Sequence, residues 1–129
     1  MRPILPDSSW YIHESKAKRD PLLQLAELSL SRDIATCGMV IAEVGRGIRN
    51  PNTLQHYSEA WSVMLYVDST EKVWRKTLQL AWHLDRQGHV LPIQDVHIAA
   101  CALSIHAVVL THDPHFHKIP GLDAANRVF

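Results

Sequence analysis

Short apolar runs alternate along this chain with longer stretches in which apolar residues recur every three or four positions, a pattern that predicts strands separated by helices. Ile4-Leu5 is the first such run. Pro6 cannot donate to a sheet ladder, which sets the end of this strand at Leu5, and Asp7-Ser8-Ser9 offers cap chemistry for a helix beginning near Trp10. Asp20-Pro21 joins an N-cap residue to a proline at the first helical position, and Leu22, Leu25 and Ser29, beside Leu23, Ala26 and Leu30, carry a second helix toward Ser31. Ile34 to Cys37 is a second short strand. From Met39 to Ile48, residues Val40, Ile41, Val44 and Ile48 share one helical face, and Gly45, Gly47 and the Asn50-Pro51 breaker are expected to end that helix.

Leu54, Tyr57 and Trp61 return at helical spacing, and Met64-Leu65-Tyr66-Val67 is the third candidate strand. Asp68 with Glu71 has capping-box spacing and opens the clearest helix, whose buried stripe is Val73, Thr77, Leu80, Ala81 and Leu84 and whose stop is Gly88. Gln94 to His106 is apolar on most sides, which predicts a buried helix, and Ala107 to Leu110 comes next as a strand covered on both faces. This order specifies an α/β fold with a central parallel sheet of four to five strands flanked by helices. Ligands in such sheets bind beyond the carboxyl ends of the strands, and Asp7 and Asp113 come directly after the first and last of them.

With 129 residues, 47% of them hydrophobic, the chain fits one domain spanning 1–129. Equal numbers of acidic and basic residues exclude binding to a polyanion through bulk charge, so any nucleic acid must be held locally. Cys37 and Cys101 lack CxxC spacing and lie in apolar stretches, as reduced core residues do. The amino-terminal residues contain no apolar region of signal-peptide length, and the stretch from Ile98 to Leu110 is too short to span a bilayer. A soluble, cytoplasmic protein without membrane attachment is the expectation.

Four carboxylates are candidates for chemistry, and each has an ordinary structural explanation of its own. Asp7 caps a helix, Asp113-Pro114 starts a turn, Asp95 suits a helix N-terminus, and Glu43 lies three residues before Arg46. Together they place acids from separate segments at one sheet edge. Such a group repels itself unless cations neutralise it, and hard oxygen ligands select Mg2+ or Mn2+. One or two ions could activate water and stabilise charge on a phosphate.

Asp7-Ser8-Ser9 after the first strand, Val40-Ile41-Ala42-Glu43-Val44 with Gly47, Asp95-Val96-His97-Ile98-Ala99-Ala100-Cys101-Ala102, and Val109-Leu110-Thr111-His112-Asp113-Pro114-His115-Phe116 together resemble the PIN-domain nucleases, most closely the VapC-type toxins of bacterial toxin–antitoxin pairs. The resemblance covers essentially the whole chain, and its carboxyl-half pattern is the specific part. It implies a three-layer α/β/α PIN-like fold in which Asp7, Glu43, Asp95 and Asp113 bind catalytic Mg2+ or Mn2+, with supporting hydroxyls from Ser8 and Thr111. It further implies endoribonuclease activity on structured RNA of the tRNA or rRNA class, a cognate antitoxin and a homodimer.

His97, His112, His115 and His117 add an unusual imidazole content near these acids. The loop spacing of His112, His115 and His117 is unspecific for structural zinc, and phosphate contact by His112, His115 and Arg46 is the preferred reading, with Arg49 and Lys118 as further candidates. Trp61, Trp74 and Trp82 lie on helical stretches and are expected in the core or an interface. An aspartyl-phosphate enzyme is disfavoured because Ser9 stands where a second Asp is needed. The alternatives are a catalytically silent PIN-like module that binds RNA or protein, and a housekeeping RNA-maturation nuclease.

Overall fold

The computed structural model describes residues 1–127. Five short strands, β1 (Ile4–Pro6), β2 (Ala35–Cys37), β3 (Leu65–Val67), β4 (Val108–Leu110) and β5 (Ala124–Ala125), all pair in parallel. Helices α1 (Ser8–Lys16), α2 (Pro21–Leu28), α3 (Gly38–Arg46), α4 (Pro51–Ser62), α5 (Glu71–Arg86) and α6 (Ile93–Ser104) connect them, and a 3-10 turn over Pro114–Lys118 comes after β4. The sheet has two ladders, β1-β4-β5 and β2-β3, joined through a single parallel bridge between Ile4 and Ile34. The expected central parallel sheet flanked by helices is therefore present, with a seam between β1 and β2.

Pro6 accounts for the seam. It lies within β1, opposite Leu110, and not beyond the strand end as its missing donor suggested. The N–H groups of alternate residues in a parallel strand face the same neighbour. Ile4 donates to Asp33 O at 2.9 Å on the β2 side, while Asp7 donates to Leu110 O at 3.0 Å on the β4 side. Pro6 thus lacks its donor toward β2, where the ladder stops, and leaves the β4 ladder intact.

Several boundaries differ from those the sequence predicts, for local reasons. Asn50-Pro51 begins α4 instead of merely ending α3, because Asn50 Oδ1 accepts the N–H groups of Asn52 and Thr53 while Pro51 takes the first helical position. Thr70, not Asp68, caps α5, with Val73 N donating to Thr70 Oγ1 at 3.3 Å. Gly88 does end that helix, in the left-handed region at φ 83°. β5 and the 3-10 turn have no counterpart among the predicted elements.

The core lies between the sheet and its helices. Val96, Ile98, Ala99, Ala100, Cys101 and Ala102 of α6 are all buried, as its nearly continuous apolar character required. Val73, Thr77, Leu80 and Leu84 form the buried stripe of α5 against it. Cys37 and Cys101 are free and buried, and Cys101 Sγ lies 3.9 Å from His97 Nε2. Trp61 is buried and donates to Tyr11 Oη at 3.3 Å, whereas Trp74 and Trp82 on α5 are 47% and 56% exposed. No helix among the described residues is long and apolar enough to cross a membrane.

Candidate metal centre at the carboxyl edge of the sheet

The connections leaving β1, β2 and β4 gather at one edge of the sheet, and the amino terminus of α6 comes to the same place. Asp7 is the N-cap of α1 and is almost fully buried. Its Oδ1 accepts the Trp10 N–H at 2.9 Å, its Oδ2 accepts the Thr111 hydroxyl at 2.7 Å, and Ser9 Oγ lies 3.0 and 2.8 Å from the two oxygens. Thr111 Oγ1 in turn accepts the Asp113 N–H at 2.9 Å, so one hydroxyl fixes two of the acidic segments relative to each other. Burial pushes the Asp7 carboxyl up despite these hydrogen bonds, and the charge of Asp113 adds to the shift.

Asp95 stands in the first turn of α6, where the helix dipole favours a carboxylate. Its pKa is nevertheless pushed up to about 6, first by burial and then by the charges of Asp113, Asp7 and Glu43 in that order, with His115 opposing them. All three other acids therefore act on this one carboxyl. Asp95, Asp113 and His115 each offer a ligand atom within 4.8 Å of the others. Asp113 caps the 3-10 turn by accepting the His115 N–H at 2.9 Å, and the His115 ring Nδ1 lies 3.3 Å from Asp113 Oδ1 and 3.9 Å from Asp95 Oδ2. Glu43, on α3 beyond β2, accepts the Ser8 hydroxyl at 2.7 Å. That contact supplies its partner; Arg46, three residues on, forms no ion pair with it among the described residues and stands exposed.

Of the residues proposed to touch phosphate, only His115 borders the acidic group. His112 turns away, its Nε2 lying 3.3 Å from Glu14 Oε2. His97 is a core residue: Nδ1 lies 3.0 Å from Thr77 Oγ1 and Nε2 lies 2.8 Å from Ser69 Oγ. Thr77 gives its own proton to Val73 O at 2.9 Å, so it accepts from Nδ1–H, and Ser69 donates to Nε2. His97 is therefore a neutral, fully satisfied imidazole, with Trp74 stacked on it at 3.8 Å and burial lowering its pKa. His117 is exposed on the 3-10 turn. Two members of the region escape sequence reasoning. Ser9 reads there only as cap material, and Glu14 carries no motif; it is legible only through its position two helical turns beyond Asp7.

Four carboxylates with a raised Asp95, together with hydroxyl groups that orient Asp7 and Glu43, form a hard-oxygen donor set suited to a divalent cation. The PIN-domain family model matches residues 4–122 of the chain. Among solved structures, the chain is similar in fold to VapBC2 from Rickettsia felis bound to a DNA fragment from its promoter (TM-score 0.78, 20% identity, 95% of this chain and 97% of that one). It is equally similar to DNA-bound VapBC from Salmonella typhimurium (TM-score 0.78, 23% identity, 97% and 98%). A Mycobacterium tuberculosis toxin, VapC20, described as cleaving the sarcin–ricin loop, matches with TM-score 0.64 and 14% identity over 89% and 93%. No curated protein sequence gives a significant match.

Proposed function

The chain belongs to the PIN-domain family, and on that premise we propose that it is a metal-dependent endoribonuclease, the toxin of a type II toxin–antitoxin pair that cleaves structured RNA of the tRNA or rRNA class. The observation that carries this reading is the convergence of Asp113, Asp7 and Glu43 on Asp95, which makes an anionic pocket that a cation would stabilise. Likeness of fold to toxin–antitoxin complexes supports a protein antitoxin as partner, and likeness to a toxin that cleaves a ribosomal RNA loop supports an RNA substrate.

Asp7, Glu43, Asp95 and Asp113 would hold the ions, Mg2+ or Mn2+ by the hardness of the donors. When bound, such ions lower the pKa of an attacking water and offset charge on the scissile phosphate. The protein's own contribution is positional. Thr111 and Ser9 hold the Asp7 carboxylate in one orientation, Ser8 does the same for Glu43, and the His115 N–H anchors Asp113. The His115 ring, 43% exposed beside Asp113 and Asp95, offers a hydrogen-bond donor at the rim to a phosphate oxygen. In this reading the attacking group would be water, and the hydroxyls of Ser8, Ser9 and Thr111 serve to hold the carboxylates.

Incubating total RNA with the protein and Mg2+ or Mn2+, beside an Asp7→Asn variant, tests the assignment. Cleavage by the native chain that is lost in the variant and on chelation is the expected result. Equal activity in both proteins, or none in either, overturns it in favour of a catalytically silent binding module. Mapping cleaved RNA ends in cells after brief induction then identifies the substrate.

A further inference from the structure

A second group of metal-ligating side chains lies on the far side of His112 from the acidic pocket. His13 and Glu14, adjacent on α1, meet His112 from the connection after β4, and one ligand atom from each lies within 4.8 Å of the others. His13 Nδ1 and His112 Nε2 are each 3.3 Å from the same Glu14 oxygen, Oε2, and the two imidazole rings lie with centroids 3.8 Å apart. Glu14 is buried, its side chain only 7% exposed. The Arg19 hydrogen bond, against the opposing effect of burial, holds its carboxyl down at about 2, so it is ionised at any working pH.

His112 Nε2 is one of the few buried side-chain atoms without a hydrogen bond among the described residues, as is His115 Nδ1 at the acidic group. The approach of His112 Nε2 to Oε2 is too far off axis to count as one. A buried ring nitrogen 3.3 Å from a carboxylate but without a hydrogen bond to it is poorly satisfied, and a cation held by both atoms would satisfy it. The remaining contacts of Glu14 leave room for this. Arg19 Nε holds Oε1 at 3.1 Å, as does Gln24 Nε2 at 3.1 Å, so the carboxylate stays anchored through Oε1 while Oε2 faces the two histidines. Arg19 Nη2 contacts Oε2 at 2.7 Å from a side chain 52% exposed, so an ion at Oε2 displaces the rigid guanidinium as a whole and leaves Gln24 holding Oε1. His13 is likewise 52% exposed, which opens a path from solvent.

We propose that His13, Glu14 and His112 form a second metal site, taking a borderline transition ion such as Zn2+, separate from the all-carboxylate centre. Two imidazoles and one carboxylate with an open fourth position suit Zn2+ and its neighbours and suit Mg2+ poorly. The Gln24 contact to Oε1 then acts as the outer support of the ligand carboxylate. An ion here ties α1 to the segment that carries Thr111 and Asp113.

Co2+ alone, added to the full chain in the presence of excess Mg2+, reads the site through its visible absorption. One Co2+ with a tetrahedral-type spectrum is expected, unchanged in Asp95→Asn and abolished in His13→Gln and in His112→Gln, with Zn2+ affinity in those two variants reduced at least about tenfold. Absence of the spectrum from the native chain, its survival in both histidine variants, or its loss in Asp95→Asn would each overturn the proposal. His13 is exposed, so His13→Gln retains the fold and decides the question alone if His112→Gln does not. The site stands independently of the nuclease assignment, since Asp95→Asn is expected to abolish RNA cleavage and to leave the Co2+ spectrum.

Discussion

The Thr111 hydroxyl donates to Asp7 Oδ2 at 2.7 Å across 104 residues of sequence, joining side chains at the two strand ends that the β1–β4 ladder sets side by side. Thr111 also accepts from Asp113 N, so a single oxygen sets both carboxylates. Thr111→Val keeps the shape and deletes both contacts. The variant should lose about 10- to 100-fold in Mg2+ affinity or cleavage rate, the range seen when an outer support of a metal ligand is removed. A metal titration of RNA cleavage measures it, and native-like activity would show that Asp7 needs no such support.

Asp95 gives the free protein a pH dependence of known sign. Its folded pKa, about 6, exceeds the ordinary value of 3.8, so its favourable contribution is complete below pH 3.8 and is lost as pH rises through 6. Asp95→Asn should therefore raise the melting temperature at pH 7.5 in the absence of divalent ions, with a gain that shrinks as pH falls from 6 to 4. Mg2+ should stabilise the native chain at pH 7.5 and have little effect on the variant. Thermal melts across this pH range with and without Mg2+ check both statements.

His97 acts in the opposite direction. Burial lowers its pKa below the ordinary value of 6.5, so its contribution is present above that value and is lost as pH falls through the folded pKa. His97→Gln should weaken the loss of stability between pH 7 and 5. A melting curve of the variant with the same acid slope as the native protein would contradict the neutral assignment built on Ser69 and Thr77.

Leu84 is fully buried on the α5 stripe. Leu84→Ala should cost about 2–5 kcal/mol, the range for a large-to-small change in a packed core, while Leu78→Ala on the exposed face should stay within roughly 0.5 kcal/mol. Denaturant unfolding separates the two, and similar losses would mean that the outer face of α5 is covered in solution.

The degree to which the sequence reveals this arrangement varies with the physics of each segment. α6 is legible because apolar residues surround it, and α5 because polar and apolar positions alternate cleanly around a single stripe. Asn50-Pro51 is ambiguous by nature, since the residues that stop one helix are those that cap and start the next. β5 is two alanines long and has no period to detect. Among the site residues, topology indicates where Asp7 and Asp113 lie, because the carboxyl edge of a parallel sheet collects the residues next in line after each strand. Glu43 within α3 and Asp95 in the first turn of α6 depend instead on how those helices pack. Topology does not indicate which atoms pair. Ser9 is hidden by its role next to a cap, and His112, one residue before Asp113, points to Glu14 because the backbone between Thr111 and Asp113 turns alternate side chains to opposite sides.

Pro6 divides the sheet, over one continuous core, into two leaves that meet at the Ile4–Ile34 bridge, and the acids are shared unequally between them. Glu43 rides on the leaf of β2 and β3, while Asp7 and Asp113 belong to the leaf of β1 and β4. A cation gripped by carboxylates from both would work as a clasp across the seam where the ladder stops at Pro6. Amide protons of β2 and α3 should accordingly exchange more slowly in Mg2+ than in chelator, by a larger factor than those of β4.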